Sequence, residues 1–202
     1  MRLYSRPGND LTYRFPLIVE ALAKLSSRSC IIDGEAVACG EDGIASFDRI
    51  RYRHHDADVF LYAFDLIELD GEDLRRDPLA VRKATLASLL ARAAPGLRFS
   101  EHLDEEDGPL VFAHACKLGL EGIVSKRCES FYSSGRSPLL EESHTDQPRR
   151  SKRPAPQVVA RYLHKKPQGD YAHKQKEHCD YQYCILYRII DAVMGCCHPT
   201  PP

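Results

Sequence analysis

The chain has 202 residues and a mass of 22.8 kDa, room for one domain of ordinary size and a short extension, with no metal or disulfide needed to hold a core. Its 28 Lys and Arg against 29 Asp and Glu leave a formal charge of −1, which excludes a histone-like or wholly basic nucleic-acid-binding protein. No run approaches the roughly 18 apolar residues of a membrane span, and Met1-Arg2-Leu3-Tyr4-Ser5-Arg6 has no apolar leader; the expected compartment is the cytoplasm.

In chain order, Arg2 to Arg6 reads as a short strand and Pro7-Gly8-Asn9-Asp10 as a turn. A helix starts around Phe15-Pro16, with Ile18, Leu22 and Leu25 forming one apolar stripe. Cys30 to Cys39 reads as a strand that Asp42-Gly43 turns back as a hairpin. Val59 to Leu69 is the strongest strand, nearly continuously apolar and closed by Asp70-Gly71. Leu79 to Ala93 is a helix, with Leu86, Leu89, Leu90 and Ala93 expected inward and Arg82, Lys83 and Arg92 outward. A second helix covers Pro109 to Leu118, and Gly122-Ile123-Val124-Ser125-Lys126 is a short strand. The sum is an α+β fold, mostly an antiparallel sheet with outer helices.

Composition changes near Pro138. Residues 1–138 carry 18 basic and 22 acidic side chains, whereas residues 139–202 carry 10 and 7 and hold seven of the 13 Pro. The stretch from Arg149 to Pro156 is linker-like, with little apolar surface to offset the entropy of ordering. Two units are expected: a folded domain over 1–138 and an irregular, low-order or frame-shifted-looking tail over 139–202, with the boundary at about 138–142. Cys179, Cys184, Cys196 and Cys197 with His178 and His198 lack the short spacings of a zinc knuckle, and the basic run Arg149 to Arg153 reads as a solvated linker.

Polar residues inside apolar strands carry the chemical information, because burial without a partner is costly. Asp33-Gly34-Glu35, Phe64-Asp65 and the segment from Glu121 to Lys126 qualify. They offer carboxylates, a lysine and an aromatic ring at strand level. Carboxylates suit Mg²⁺, a ring suits a nucleobase, and basic groups suit phosphate. Each taken alone is equally a turn aspartate, a core aromatic or a surface ion pair.

The ordered set Leu3-Tyr4-Ser5-Arg6-x-Gly8, Ile32-Asp33-Gly34-Glu35-Ala36-Val37, Ala63-Phe64-Asp65-Leu66-x-x-Leu69-Asp70-Gly71, Leu79-x-x-Arg82-Lys83, Leu120-Glu121-Gly122-Ile123-Val124-Ser125-Lys126-Arg127 and Tyr132-x-x-Gly135-Arg136-Ser137-Pro138 covers nearly all of residues 1–138. This set resembles the adenylation (nucleotidyltransferase) domain of ATP-dependent DNA ligases, most nearly the ligase part of bacterial non-homologous end-joining enzymes. The resemblance implies a covalent nucleotidyltransferase (ATP-grasp-like) fold. It implies ATP and Mg²⁺ as cofactors, and a nick-sealing reaction through lysyl-AMP and DNA-adenylate in DNA repair and recombination. The implied DNA partner is a nicked or broken duplex.

By the same resemblance, Arg6 helps bind the nucleotide and the 5′-phosphate region, Glu35 contacts the ribose side, Phe64 stacks on adenine, Lys126 belongs to the nucleotide-binding set, and Glu121 faces the catalytic metal. The pattern departs from the family at two places. The family's nucleophilic lysine lies in a Lys-x-Asp-Gly-x-Arg motif upstream of Ser5-Arg6, a motif that these 202 residues do not contain, and neither Lys24 nor Lys126 stands in its place. After Ser137-Pro138 the family continues with a Trp and a Lys-x-Lys pair, where this chain reads Leu139-Leu140-Glu141-Glu142. The expectation is therefore a domain cut at both ends, with no catalytic residue of its own and inactive as written, and with an exposed sheet edge inviting self-association. The alternative is a non-catalytic nucleotide- or DNA-binding remnant.

Overall fold

The computed structural model describes residues 1–41, 45–104, 108–117, 122–134, 140–144, 157–163 and 183–187. Strand β1 (Arg2–Ser5) leads into the turn at Pro7 to Asp10, where the Ser5 carbonyl accepts the Gly8 amide and Asp10 bridges back to Tyr4. Helix α1 (Pro16–Ala23) places Pro at its first position, where the missing N–H costs nothing, and buries Ile18, Ala21 and Leu22. Strand β2 (Ser29–Val37) follows, then a short helix α2 (Phe47–Arg51) and a single 3₁₀ turn at Asp56–Asp58. Strand β3 (Phe60–Leu69) turns through Asp70 (φ 54°) and Gly71 (φ 94°) into β4 (Glu72–Asp73). Left-handed backbone there explains the Asp-Gly pair, since glycine carries no Cβ penalty and aspartate tolerates it.

Helix α3 (Leu79–Leu90), strands β5 (Leu97–Phe99) and β6 (Leu103–Asp104), helix α4 (Gly108–Lys117) and strand β7 (Gly122–Arg127) complete the part of the chain for which regular structure was expected. Beyond it lie β8 (Leu140–His144), β9 (Gln157–Leu163) and β10 (Tyr183–Tyr187).

The strands form two sheets. The larger is ordered β1-β9-β2-β3-β4, with β5 alongside β3; the smaller is ordered β6-β10-β7-β8. Every pairing is antiparallel except β3 with β5. The main core lies between the larger sheet and helices α1 and α3, around Leu3, Phe15, Ile18, Leu22, Ile32, Leu61, Leu66 and Leu86. The α+β class and the mostly antiparallel sheet agree with the reading of the sequence.

Two features depart from that reading. Arg82 and Lys83, expected outward on α3, are both buried at 2% exposure. Polar groups inside the fold receive them, as described below. Residues 157–163, expected to lie in an irregular tail, form β9 and pair with both β1 and β2. The β-branched and aromatic residues of Gln-Val-Val-Ala-Arg-Tyr-Leu suit a strand once two partners are present. Past β2, which pairs with β3, Cys39 makes an antiparallel bridge to Ala45 and the Ser46 amide donates to the Ala38 carbonyl. The Asp42-Gly43 turn, the basic run 149–153 and residues 178, 179 and 196–198 of the cysteine–histidine set lie outside the described residues.

Candidate functional site

Strands β2 and β3 build the site through an irregular register. Gly34 pairs with Ala63 and Asp33 pairs with Asp65, so Phe64 is an extra residue with no partner on β2. This is a β-bulge, a device that breaks the alternation of faces and re-aims a side chain. A second shift, between Ile31 and Ile32, leaves Ile67 unpaired in the same way. On β2 the half-buried positions are Ile31, Asp33 and Glu35, while Ile32, Gly34 and Ala36 face the core. Gly34 is required by close approach: a Cβ there would lie 2.6 Å from the Tyr62 carbonyl oxygen. On β3, Tyr62 and Phe64 are half-buried and Asp65 is buried.

The buried Asp65 carboxylate receives the guanidinium of Arg82 in a two-pronged pair, Nε to Oδ1 at 2.7 Å and Nη2 to Oδ2 at 3.0 Å. The Leu66 amide donates to the same Oδ1 at 2.9 Å. Arg82 also donates through Nη1 to the carbonyls of Asp77 and Ser130, the latter at 3.1 Å. Its guanidinium lies 5.9 Å from the ring centre of Tyr132. Such a pair, hydrogen-bonded on both sides, satisfies groups that would otherwise be costly to bury. It fastens the segment after β7 to the larger sheet. Lys83, one residue along, donates from Nζ to the Ser100 carbonyl at 3.0 Å and lies over the Phe99 ring at 5.0 Å.

A second tie joins the same segment to β2: the Tyr132 hydroxyl donates to Asp33 Oδ2 at 3.3 Å. Burial pushes the Asp33 carboxyl up to about 6, opposed by the Lys126 ammonium and by the Tyr132 bond and reinforced by the charge of Asp65. Burial and the Asp33 charge raise the Tyr132 hydroxyl, which therefore stays protonated and donating, while the charge of Arg6 acts in the opposite direction.

Of the residues singled out in the sequence, Phe64 and Lys126 are brought together across the two sheets: Lys126 Nζ on β7 lies 4.7 Å from the Phe64 ring centre on β3. Glu35 lies on the half-buried side of β2, two residues from Asp33. Arg6 is exposed just past β1, and its charge is felt at Tyr132. Glu121 lies outside the described residues. The sequence reading did not assign roles to Asp33, Arg82 or Tyr132. Asp33 had a signal, a carboxylate within an apolar strand. Arg82 sat at a helical position that a periodicity argument turns outward.

An aromatic face, a carboxylate, an ammonium and an exposed guanidinium match the chemistry of a nucleoside bearing phosphates. Among the described residues no three His, Cys, Asp or Glu side chains come together to hold an ion, and the Asp65 carboxylate is already taken by Arg82. No helix among the described residues is long and apolar enough to cross a membrane.

Residues 1–140 match the family model described as ATP dependent DNA ligase domain. The multifunctional non-homologous end joining protein LigD of Pseudomonas aeruginosa is 40% identical over 141 residues, covering 68% of this chain and 17% of that protein. A DNA ligase of Natronomonas pharaonis is 37% identical over 145 residues, covering 66% of this chain and 26% of the relative. Among solved structures, the ligase domain of Mycobacterium tuberculosis LigD superposes with a TM-score of 0.61 at 34% identity, over 71% of this chain and 46% of that one. A mycobacterial DNA ligase D complexed with ATP and MES matches with the same TM-score and identity, over 71% of this chain and 47% of the other. The chain thus spans between a sixth and a quarter of these curated relatives and less than half of the solved ligase domains. The bulged β2–β3 pair with its Asp-Gly-Glu and Phe-Asp residues falls within the matched span, and the chain belongs to the ATP-dependent DNA ligase domain family.

Proposed function

We propose that this chain supplies the nucleotide-holding part of an ATP-dependent DNA ligase adenylation domain, serving DNA strand joining in repair and recombination. The observation that carries the reading is the bulge at Phe64, which sets an aromatic ring on the half-buried side of the sheet with the Lys126 ammonium on it and Glu35 on the adjoining strand. In this reading adenine stacks on Phe64, Glu35 accepts from a ribose hydroxyl, and Lys126 and Arg6 meet the phosphates. Each role suits its side chain, since a planar guanidinium grips phosphate oxygens and a ring offers its face to a base. The buried Asp65–Arg82 pair and the Tyr132–Asp33 bond act as positioning groups, holding the segment that follows β7 against β2 and β3.

The unit extends over residues 1–138, with the later strands completing its sheets, and the DNA partner is a nicked or broken duplex. Glu121 is the carboxylate that would face Mg²⁺, by family resemblance. Lysyl-AMP formation needs a lysine held about 3–3.5 Å from the α-phosphorus. These 202 residues contain no Lys-x-Asp-Gly-x-Arg motif to hold it there. The chain as it stands therefore binds ATP weakly, at roughly millimolar affinity, and does not adenylylate itself.

The test is incubation of purified chain with radiolabelled ATP and Mg²⁺ or Mn²⁺, followed by a denaturing gel, alongside thermal melting with and without ATP. The expected result is a blank gel together with an ATP-dependent rise in melting temperature. A heat-stable labelled band, lost on substituting one particular lysine, would overturn the non-catalytic part of the reading. A melting temperature indifferent to ATP at several times the millimolar range would overturn the nucleotide site itself.

A further inference from the structure

Lys126 and Phe64 come from different sheets, and their contact is the point at which β7 touches the bulge of β3. An ammonium 4.7 Å from the ring centre covers one face of that ring. The charge of the same ammonium also acts on the half-buried Asp33 carboxyl group of the neighbouring strand. We propose that Lys126 is a displaceable cap on Phe64, which makes the site discriminate nucleotides from nucleosides. This inference rests on the nucleotide reading above and deepens it.

Two contacts compete for the Phe64 face. A cation on an aromatic face at a partly exposed site shifts an equilibrium by a factor of only about two to five. Stacking of a base on the same ring is worth roughly five- to a hundred-fold, so a base entering over that face displaces the ammonium. A nucleoside then loses the cation–ring contact and offers nothing in its place. A nucleotide offers phosphate oxygens, and the flexible four-carbon stem of lysine lets the released ammonium swing to them as a point charge. The cap therefore penalises adenosine and rewards ATP. The charge of Lys126 acts on Asp33 of β2, as does that of Asp65 of β3, itself paired with Arg82 of α3, while Arg6 after β1 acts on Tyr132.

The test measures dissociation constants of adenosine and of ATP, without added metal, by ligand-observed NMR on the full chain, comparing wild type, Lys126→Met and Lys126→Arg. For Lys126→Met the expected result is adenosine binding about two- to five-fold tighter with ATP binding weakened at least about five-fold. Lys126→Arg, which retains a cation able to lie on the ring and reach phosphate, should keep the wild-type ratio of the two constants to within about two-fold. Lys126→Gln repeats the comparison if the Met variant fails to fold by circular dichroism. An ATP-to-adenosine ratio unchanged in the neutral variant, or both ligands weakened alike, would overturn the cap while leaving the nucleotide site standing. Absence of any binding of either ligand to wild type and variants would overturn the nucleotide reading, and the cap with it.

Discussion

Arg82 and Asp65 form a two-pronged ion pair inside the protein, 2.7 Å at its closer contact, although one residue lies on a helix and the other in the middle of a strand. Both side chains are almost fully enclosed. The remaining guanidinium N–H bonds run to the carbonyls of Asp77 and Ser130, so the pair also anchors the turn before α3 and the segment after β7.

Removing one partner of such a pair leaves the other charge buried. Arg82→Met is expected to destabilise the chain by about 3–5 kcal/mol, a large share of the roughly 5–15 kcal/mol that holds an ordinary domain together. The double variant Arg82→Met with Asp65→Leu should recover most of that loss, because no uncompensated charge remains. Urea denaturation of the two single variants and the double variant checks the cycle. Equal stability of wild type and Arg82→Met would show the pair to be less buried than described.

Asp33 gives a pH dependence of defined sign. Its carboxyl group titrates near 6 in the folded chain against an ordinary value of 3.8. A raised value means that the folded state holds the proton more tightly. The contribution to stability is full below about pH 4 and is lost as the pH rises through 6. Asp33→Asn keeps an oxygen to accept from Tyr132 and removes the ionisation. The variant is expected to match wild type near pH 4 and to exceed it by on the order of 3 kcal/mol at pH 7.5. Denaturation midpoints measured across that range check the trend; a gap that narrows with rising pH would contradict it.

Much of the fold was legible because its strands and helices carry strong local signals. The near-continuous apolar run of β3, the stripe of Ile18, Leu22 and Leu25, and the Asp70-Gly71 turn all read correctly from residue type alone. Phe64 and Asp65 drew notice as an aromatic–acid pair in an apolar strand, but the bulge that separates their roles is a property of pairing and leaves no mark in one strand's sequence. Gly34 belongs to a recognisable Asp-Gly-Glu, yet its reason, the nearby Tyr62 carbonyl, lies on another strand. Arg82 and Lys83 were misread because helical periodicity assigns cations to the solvent side, and only the Asp65 carboxylate and the Ser100 carbonyl make their burial intelligible. Strand β9 was missed for the same kind of reason: a short, partly apolar segment beside a basic, proline-containing stretch becomes a strand only when β1 and β2 offer both edges.

The thiols offer a check on the core. Burial raises the Cys30 thiol to about 11, and its side chain is enclosed on β2. Cys39 and Cys116 are more accessible, and none of the three is in a disulfide. Because the thiolate is the reactive form, iodoacetamide at pH 8 should label Cys39 and Cys116 well before Cys30. Peptide mass spectrometry over a time course reads the order; Cys30 labelled as fast as the other two would place β2 outside the core.

The most direct test of the nucleotide site is the affinity for ATP of Phe64→Ala against wild type, measured by ligand-observed NMR on chains shown by circular dichroism to be folded. Base stacking on an aromatic ring contributes about 1–3 kcal/mol, and the bulge leaves Phe64 without a pairing role on β2. The account predicts at least about a five-fold loss of ATP affinity with little change in melting temperature. Undiminished ATP binding by Phe64→Ala would contradict it.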